Sequence, residues 1–507
     1  MAVEPVRATL LDLLDAGAPD APALLAPDRP ALAYAALRAN VRALAAQLQA
    51  LGIGRGDRVA IAMGNGPEMA IAFLAAASAA TAAPLNPKYR ADEFAFYYDD
   101  TQAKALIALP GAVPAAEEAL LPGMQLIAAT VQEDGTLALR PQSDSSPQPS
   151  ALSLAQPDDV ALILHTSGTT SRPKRVPLRH RNLATSARNI IQTYSLTAAD
   201  RALCIMPLFH IHGIVASLLS SLAAGGAVIC PPGFDALKFW QWVDTFKPTW
   251  YSAVPTMHQL LLSRAERNAA LIAANRFRFI RSSSAPLPPV VMERLEAAFG
   301  APVLESYGMT EASHQMASNP LPPAPRKGGS VGVGVGVDVA IMDDAGALLA
   351  QGAIGEVVVR GGNVMDGYEN NPEANASAFI NGWFRTGDQG YLDADGYLCL
   401  TGRIKELINR GGEKIAPLEI DDVLLRHPAV AEALAFAVPH ATLGEEVHAA
   451  VVLRPEATAS EQELRDHCAA SLADFKVPRR IHMLEALPRG ATGKLQRITM
   501  AKMLGLA

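Results

Sequence analysis

Cysteine is scarce in this chain: 4 occur in 507 residues, at Cys204, Cys230, Cys399 and Cys468, with no CxxC pair among them. That scatter excludes a disulfide framework or a zinc ribbon and suits a reducing compartment, with each thiol expected as a small buried hydrophobe. An excess of positive charge is also missing. Lys and Arg number 43 against 50 Asp and Glu, for a net charge of −7 and a pI near 5.9, which argues against nucleic acid as a partner. The first residues, Met1 to Arg7, lack a basic-then-apolar leader, and Gly505-Leu506-Ala507 is not an SKL-type address. The uncharged stretch 69–85 is mostly alanine and is interrupted at Pro84, so it predicts a buried helix rather than a membrane span. The expectation is a soluble, cytoplasmic protein with no membrane partner.

Half the residues are hydrophobic, enough for a large core, and the length suggests roughly three units of about 150 residues. Residues 34–51 have helical period and 57–63 read as a strand, an α/β pattern. Further strand-like runs at 202–206, 227–230, 250–254, 277–281 and 302–304, separated by helical stretches, suit a mostly parallel sheet. Residues 141–158, rich in Pro, Ser, Gln and Asp, read as a linker. The SVGVGVGVDVAI run at 330–341 reads as a strand with Gly332, Gly334 and Gly336 on one face. It resembles a dinucleotide fingerprint only superficially, because no helix start follows. Shorter strands are expected at 354–360 and 397–401, and helices near 417–425 and 460–470.

The segment 166–174, TSGTTSRPK, follows the apolar run 160–164. Small residues let backbone N–H groups approach an anion, the Thr and Ser hydroxyls add donors, and Lys174 adds charge. A Walker loop is excluded: Lys174 is followed by Arg175-Val176-Pro177, and Pro173 and Pro177 forbid a helix through the lysine. A phosphate-binding loop is favoured over a plain polar turn.

Taken in order, this loop, PLFHIHG at 207–213, ESYGMTEA at 305–312, GWFRTGD at 382–388, GRIKELINRGGEKI at 402–415 and PRGATGK at 488–494 resemble the adenylate-forming superfamily of acyl-CoA synthetases, luciferases and peptide-synthetase adenylation domains. The resemblance runs over nearly the whole chain. It implies an α/β fold, with a large N-terminal adenylate-forming domain of mixed, mostly parallel sheets over 1–402 and a small mobile C-terminal α+β lid domain over 403–507. It also implies the substrates ATP and coenzyme A, the ion Mg²⁺, and an acyl-adenylate intermediate.

Carried over residue by residue, the resemblance makes Thr166, Ser167, Gly168, Thr169, Thr170 and Lys174 the triphosphate loop. Tyr307 would stack on adenine, Thr310 would reach the α-phosphate, and Glu311 would hold Mg²⁺. Asp388 would accept the ribose hydroxyls, Arg403 would contact sugar or phosphate, and Lys405 would be the hinge. Arg410, Lys414 and the Gly411-Gly412 turn would face coenzyme A. Lys494 would be the mobile lysine of the first step. Taken singly, each has a plainer reading: Tyr307 as core packing, Gly387-Asp388 as a turn, Lys405 and Lys494 as solvated charges. Ser171-Arg172 and Arg175 depart from the usual loop, which has glycine near the first and directly after the lysine. Arg175 is expected to alter ATP affinity.

For the acid, His210 matches the gate between acyl site and thiol channel, with His212 two residues on; a zinc pair is disfavoured because no third ligand has suitable spacing. Serines fill 282–284 where fatty and aryl synthetases carry glycine and small apolar residues, His314 follows Glu311 by three, and Trp250 and Tyr251 can crowd a pocket wall. TWYSAVPTMHQ at 249–259 and ESYGMTEASHQMASNPLPP at 305–323 most resemble oxalyl-CoA synthetases. The resulting expectation is that Ser284, His210 and His314 surround the distal carboxylate of oxalate. The plainer alternative has His314 ordering a loop and the serines capping a helix near Pro288. Malonyl-CoA synthetase is the runner-up, and no arginine for a second carboxylate is evident. A ligase loading a carrier protein, and a non-catalytic AMP-binding module, are the readings from other classes.

Overall fold

The computed structural model describes residues 8–141, 152–166, 173–489 and 495–507. Among them, strands before residue 404 form sheets of seven, eight and five strands, and those from Ile408 onward form a separate sheet of five. In the eight-stranded sheet, Arg201–Leu203, Ala227–Ile229, Trp250–Ala253, Phe279–Ser282 and Val303–Met309 run parallel, and His314–Ser318 closes one edge antiparallel. The strand-like runs read from the sequence are therefore the parallel strands expected.

Helices join the sheets because their apolar residues recur at the helical period. Tyr34–Ala50 buries Tyr34, Leu37, Val41, Leu44, Ala45 and Leu48, one stripe at three- and four-residue spacing. Pro67–Ala79 is buried on every side, as an all-round apolar helix must be, and Pro67 opens it where a missing N–H costs nothing. The alanine-rich stretch is thus this helix followed by the strand Thr81–Pro84, and among the described residues no helix is long and apolar enough to cross a membrane. One apolar cluster draws residues from all three N-terminal sheets, including Ile61, Trp250, Phe279 and Val357.

The glycine–valine run departs from expectation. Gly332 and Gly336 adopt left-handed φ values of +82° and +67°, which breaks strand geometry, and the strand starts only at Asp338 and runs to Met342. A Cβ on Gly332 would lie 1.9 Å from the Ser318 carbonyl carbon, so close backbone approach explains the glycine.

The small lobe has its own core, including Ile408, Ile420, Leu424, Val447 and Leu464, under the helices Pro417–Arg426 and Glu461–Ala469. Helix Pro289–Phe299 of the large lobe packs on Pro417–Arg426. Near this contact Glu305 is buried, and burial pushes its carboxyl up to about 8 from an ordinary 4.5; Asp422 adds to the rise and the Leu287 N–H, donating at 2.8 Å, opposes it. Asp422 is itself pushed up to about 6 by burial and Asp421, against the opposing charge of Arg426. The fold favours protonated Glu305, so this stabilisation is complete below about pH 4.5 and is lost progressively as pH rises to about 8. Glu305→Gln should match the wild type in urea unfolding near pH 4.5 and exceed it at pH 9 by on the order of 2 kcal/mol or more. Equal stabilities at pH 9 would refute the assignment.

Candidate active site

The phosphate loop springs from an antiparallel pair, Val160–Thr166 and Lys174–Arg179, in which Thr166 faces Lys174 and His165 faces Arg175. Alternation along a strand sends neighbouring side chains to opposite faces. Lys174 turns one way and sets its Nζ 4.5 Å from the centre of the Tyr368 ring. Arg175 turns the other way, donating to the Asp100 carbonyl and lying 3.4 Å from Glu369, while Asp100 also meets His165 at 3.0 Å. Glu369 is held in turn by Arg58. Arg175 thus braces the base of the loop and is spent on carboxylates of the protein. Ser167, Gly168, Thr169 and Thr170 lie outside the described residues.

Two buried carboxylates, Glu311 and Asp388, mark the end expected to hold the nucleotide. Glu311, in the short turn Thr310–Ala312, accepts a hydrogen bond from the Tyr368 hydroxyl at 3.0 Å. Burial raises its pKa, opposed by that bond and by the charges of Arg403 and Lys174. Asp388 accepts from the Tyr307 hydroxyl and pairs with Arg403 Nε at 3.1 Å, and the Asp388 charge raises the pKa of Arg403. Gly308 makes this turn possible, since a Cβ there would lie 1.8 Å from the His314 carbonyl oxygen. The ring of Tyr307 is buried and its hydroxyl is committed to Asp388, so the residue expected to stack on adenine also anchors the carboxylate expected at the ribose. Glu311 suits Mg²⁺: it offers a hard carboxylate oxygen in a buried setting, beside the cationic loop where phosphates would lie.

The residues expected at the acid border the parallel strands Trp250–Ala253 and Phe279–Ser282. Their register sets Ser252 beside Arg281 and Trp250 beside Phe279, so all four share a face. The Trp250 and Phe279 rings stack at 5.2 Å. Tyr251 points to the opposite face, packing on Phe239 and Phe277 and bonding His258, so it forms no wall of this site. A π-helix, His212–Leu219, runs fully buried over the sheet; this rare geometry concentrates at functional sites. Its first residue, His212, is within 3.0 Å of Ser284 Oγ through Nδ1 and 2.6 Å of Ser252 Oγ through Nε2, and stacks on His314 at 4.8 Å.

Ser284, Ser313 and His314 take φ values of +72°, +49° and +91°, strained for residues with a Cβ and costing about 1–3 kcal/mol each. Helix Pro289–Phe299 has no side-chain cap, and Ser283 instead donates to the Ser306 carbonyl at 3.0 Å, so the serines are not capping residues.

The structure therefore brings Lys174, Tyr307, Glu311, Asp388 and Arg403 together at one end and Ser284 and His314 at the other. His212 bonds Ser284, and half-buried His210 accepts from the His212 backbone N–H at 3.2 Å. Lys405 is exposed in the turn Ile404–Glu406 between the third and fourth sheets. Lys494 lies outside the described residues; just beyond it, Arg497 grips Asp421 at 2.7 Å and Glu406 at 3.2 Å. Arg410 pairs with Glu446. No group of three or more candidate metal ligands occurs among the described residues. Sequence reasoning missed Tyr368, Ser252 and Arg281. For Arg281, the alternation that pairs it with Ser252 was available, but its partners come from segments 29 to 87 residues away.

The family described as AMP-binding enzyme matches residues 14–369, and the AMP-binding enzyme C-terminal domain matches 419–494, the large and small lobes in turn. An oxalate–CoA ligase of Arabidopsis thaliana is 48% identical over 492 residues, 96% of each chain. One of Saccharomyces cerevisiae is 44% identical over 475 residues, covering 88% of this chain and 87% of its own. The ATP-bound structure of MatB from Rhodopseudomonas palustris superposes with TM-score 0.87 at 31% identity, over 98% of this chain and 99% of that one.

Because Arg175 braces Asp100 and Glu369, Arg175→Ala should lower unfolding stability by about 2–3 kcal/mol while leaving the KM for ATP unchanged. A shifted KM with unaltered stability would place the guanidinium at the nucleotide instead.

Proposed function

Since the chain belongs to the family of AMP-binding enzymes, we propose that it is an ATP-dependent acid–CoA ligase that converts oxalate to oxalyl-CoA through an oxalyl-adenylate. The observation that carries the acid's identity is the wall formed by Ser284, His212 and His314: hydroxyl and imidazole where a long-chain acid would need apolar surface. Similarity to two oxalate–CoA ligases over 96% and 88% of the chain supports the same acid.

In the first step an oxalate oxygen bonds to the α-phosphorus of ATP and the bond to the β-phosphate breaks, releasing pyrophosphate. In the second, the coenzyme A thiol attacks the activated carbonyl, forming the thioester and releasing AMP. Asp388, set by Tyr307 and Arg403, accepts the ribose hydroxyls. Thr166 to Thr170 and Lys174 cradle the departing phosphates, and Thr310 donates to the α-phosphate. Glu311 would hold Mg²⁺, which draws charge from the phosphate oxygens when bound. His210 guards the passage between acid and thiol.

Both reactants of the first step are anions, so a cation between them lowers the barrier. Lys494, in the glycine-rich segment 490–494, fills that role. An ammonium about 4 Å from the developing charge is worth about 4 kcal/mol at an effective dielectric near 20, roughly a thousandfold in rate. We place the domain border at 402–403. The lobe beyond it turns about Lys405 after adenylation, withdrawing Lys494 and presenting Gly411-Gly412, with Arg410 and Lys414, to coenzyme A.

Pyrophosphate release across oxalate, malonate, acetate, a medium-chain fatty acid and a hydroxycinnamate should be selective for oxalate; preference for malonate or a monoacid would overturn the acid assignment. Lys494→Ala should slow pyrophosphate formation roughly a thousandfold while the conversion of supplied adenylate to thioester keeps its rate. Equal loss in both half-reactions would remove the lysine from the first step.

A further inference from the structure

Arg281 has no exposed surface, and among the described residues no carboxylate forms an ion pair with it. Its guanidinium is surrounded by neutral groups: Nε donates to the Tyr194 hydroxyl at 2.9 Å, one terminal nitrogen to Gln315 Oε1 at 3.2 Å, and the other to Ser252 Oγ at 3.0 Å while lying 3.3 Å from His212 Nε2. A cation buried among dipoles is costly to maintain unless a later partner uses the charge.

The hydrogen-bond network assigns the proton on His212. A guanidinium only donates, so the nitrogen that faces His212 Nε2 requires a lone pair there. Ser252 Oγ accepts from Arg281 and turns its own hydrogen toward the same Nε2, 2.6 Å away. Both donors converge on Nε2, which leaves the imidazole proton on Nδ1, directed at Ser284 Oγ 3.0 Å away. Ser284 Oγ accepts this hydrogen bond, and its own hydroxyl hydrogen is left for a ligand. The left-handed φ of Ser284, +72°, fixes this hydroxyl in a backbone conformation that serine does not choose unaided.

We propose that Arg281 is a specificity-determining positioning residue: through Ser252 it holds His212 as the Nδ1–H tautomer, so that Ser284 presents a hydroxyl proton to the second carboxylate of the acid, and its uncompensated charge is the counter-charge for that carboxylate. The inference rests on the assignment of a two-carboxylate substrate to this site. It does not require Arg281 to touch the acid.

The test combines kinetics with a direct reading of the tautomer. In protein labelled with ¹⁵N-histidine, with the His212 signals identified by their loss in His212→Asn, the wild type should show protonated Nδ1 and bare Nε2. Arg281→Met should move the proton toward Nε2 and raise the KM for oxalate about tenfold, with the KM for ATP unchanged. Arg281→Lys, which keeps the charge and loses the fork, should fall between. Ser252→Ala interrupts the same relay with a smaller change and serves should Arg281→Met fail to fold. A wild-type His212 protonated on Nε2, or variants in which the KM values for oxalate and ATP rise together, would overturn the proposal. A wild type without oxalate-dependent pyrophosphate release would instead overturn the acid assignment, while the tautomer measurement still decides the relay.

Discussion

A guanidinium removed from water must be solvated by the protein, and at Arg281 that requirement ties together four separate segments. The end of helix His180–Tyr194, the strand carrying Ser252, the first residue of the π-helix and the edge strand His314–Ser318 each supply one acceptor. Remove any one and a buried donor loses its partner, a penalty larger than the worth of the bond itself. Beneath this layer Trp250, Phe279 and Tyr194 stack in sequence, so the polar layer rests on a rigid aromatic floor. The cluster around Arg281 and His212 is therefore assembled by packing and hydrogen bonding together.

The cluster around Glu311 and Asp388, assigned to the nucleotide in the proposed function, inverts this arrangement. There the buried charges are carboxylates, Glu311 and Asp388, and each is steadied by a tyrosine hydroxyl and by nearby cations. A phenol fixes a carboxylate without neutralising it, which leaves the anion able to meet a metal ion or a sugar hydroxyl. Alternation along one short strand then separates two adjacent cations: Lys174 is directed to this end, and Arg175 to the scaffold.

Much of this was legible in the sequence because it was local. Apolar runs of four or five residues gave the parallel strands, and ordered motifs marked Glu311, Asp388 and Arg403 as members of one site. What stayed hidden depended on register or on backbone twist. The valine and glycine alternation at 330–337 has strand periodicity, but close approach to Ser318 forces left-handed turns there. His212 reaches Ser284 from the first residue of a π-helix, a geometry that no residue spacing announces. The bracing role of Arg175 stayed hidden because Asp100 and Glu369, its partners, are 75 and 194 residues away.

The left-handed φ values at Ser284, Ser313 and His314 have an evolutionary consequence. Glycine occupies such conformations without strain, so exchanging any of these residues for glycine relaxes the backbone while removing a polar side chain from the wall to which the proposed function assigns the acid. Drift toward a pocket that accepts simpler acids is therefore downhill in stability, and the reverse path is uphill. If the proposed function holds, keeping serine and histidine here works against that gradient, and these three positions would register a change of acid sooner than the motifs assigned to the nucleotide.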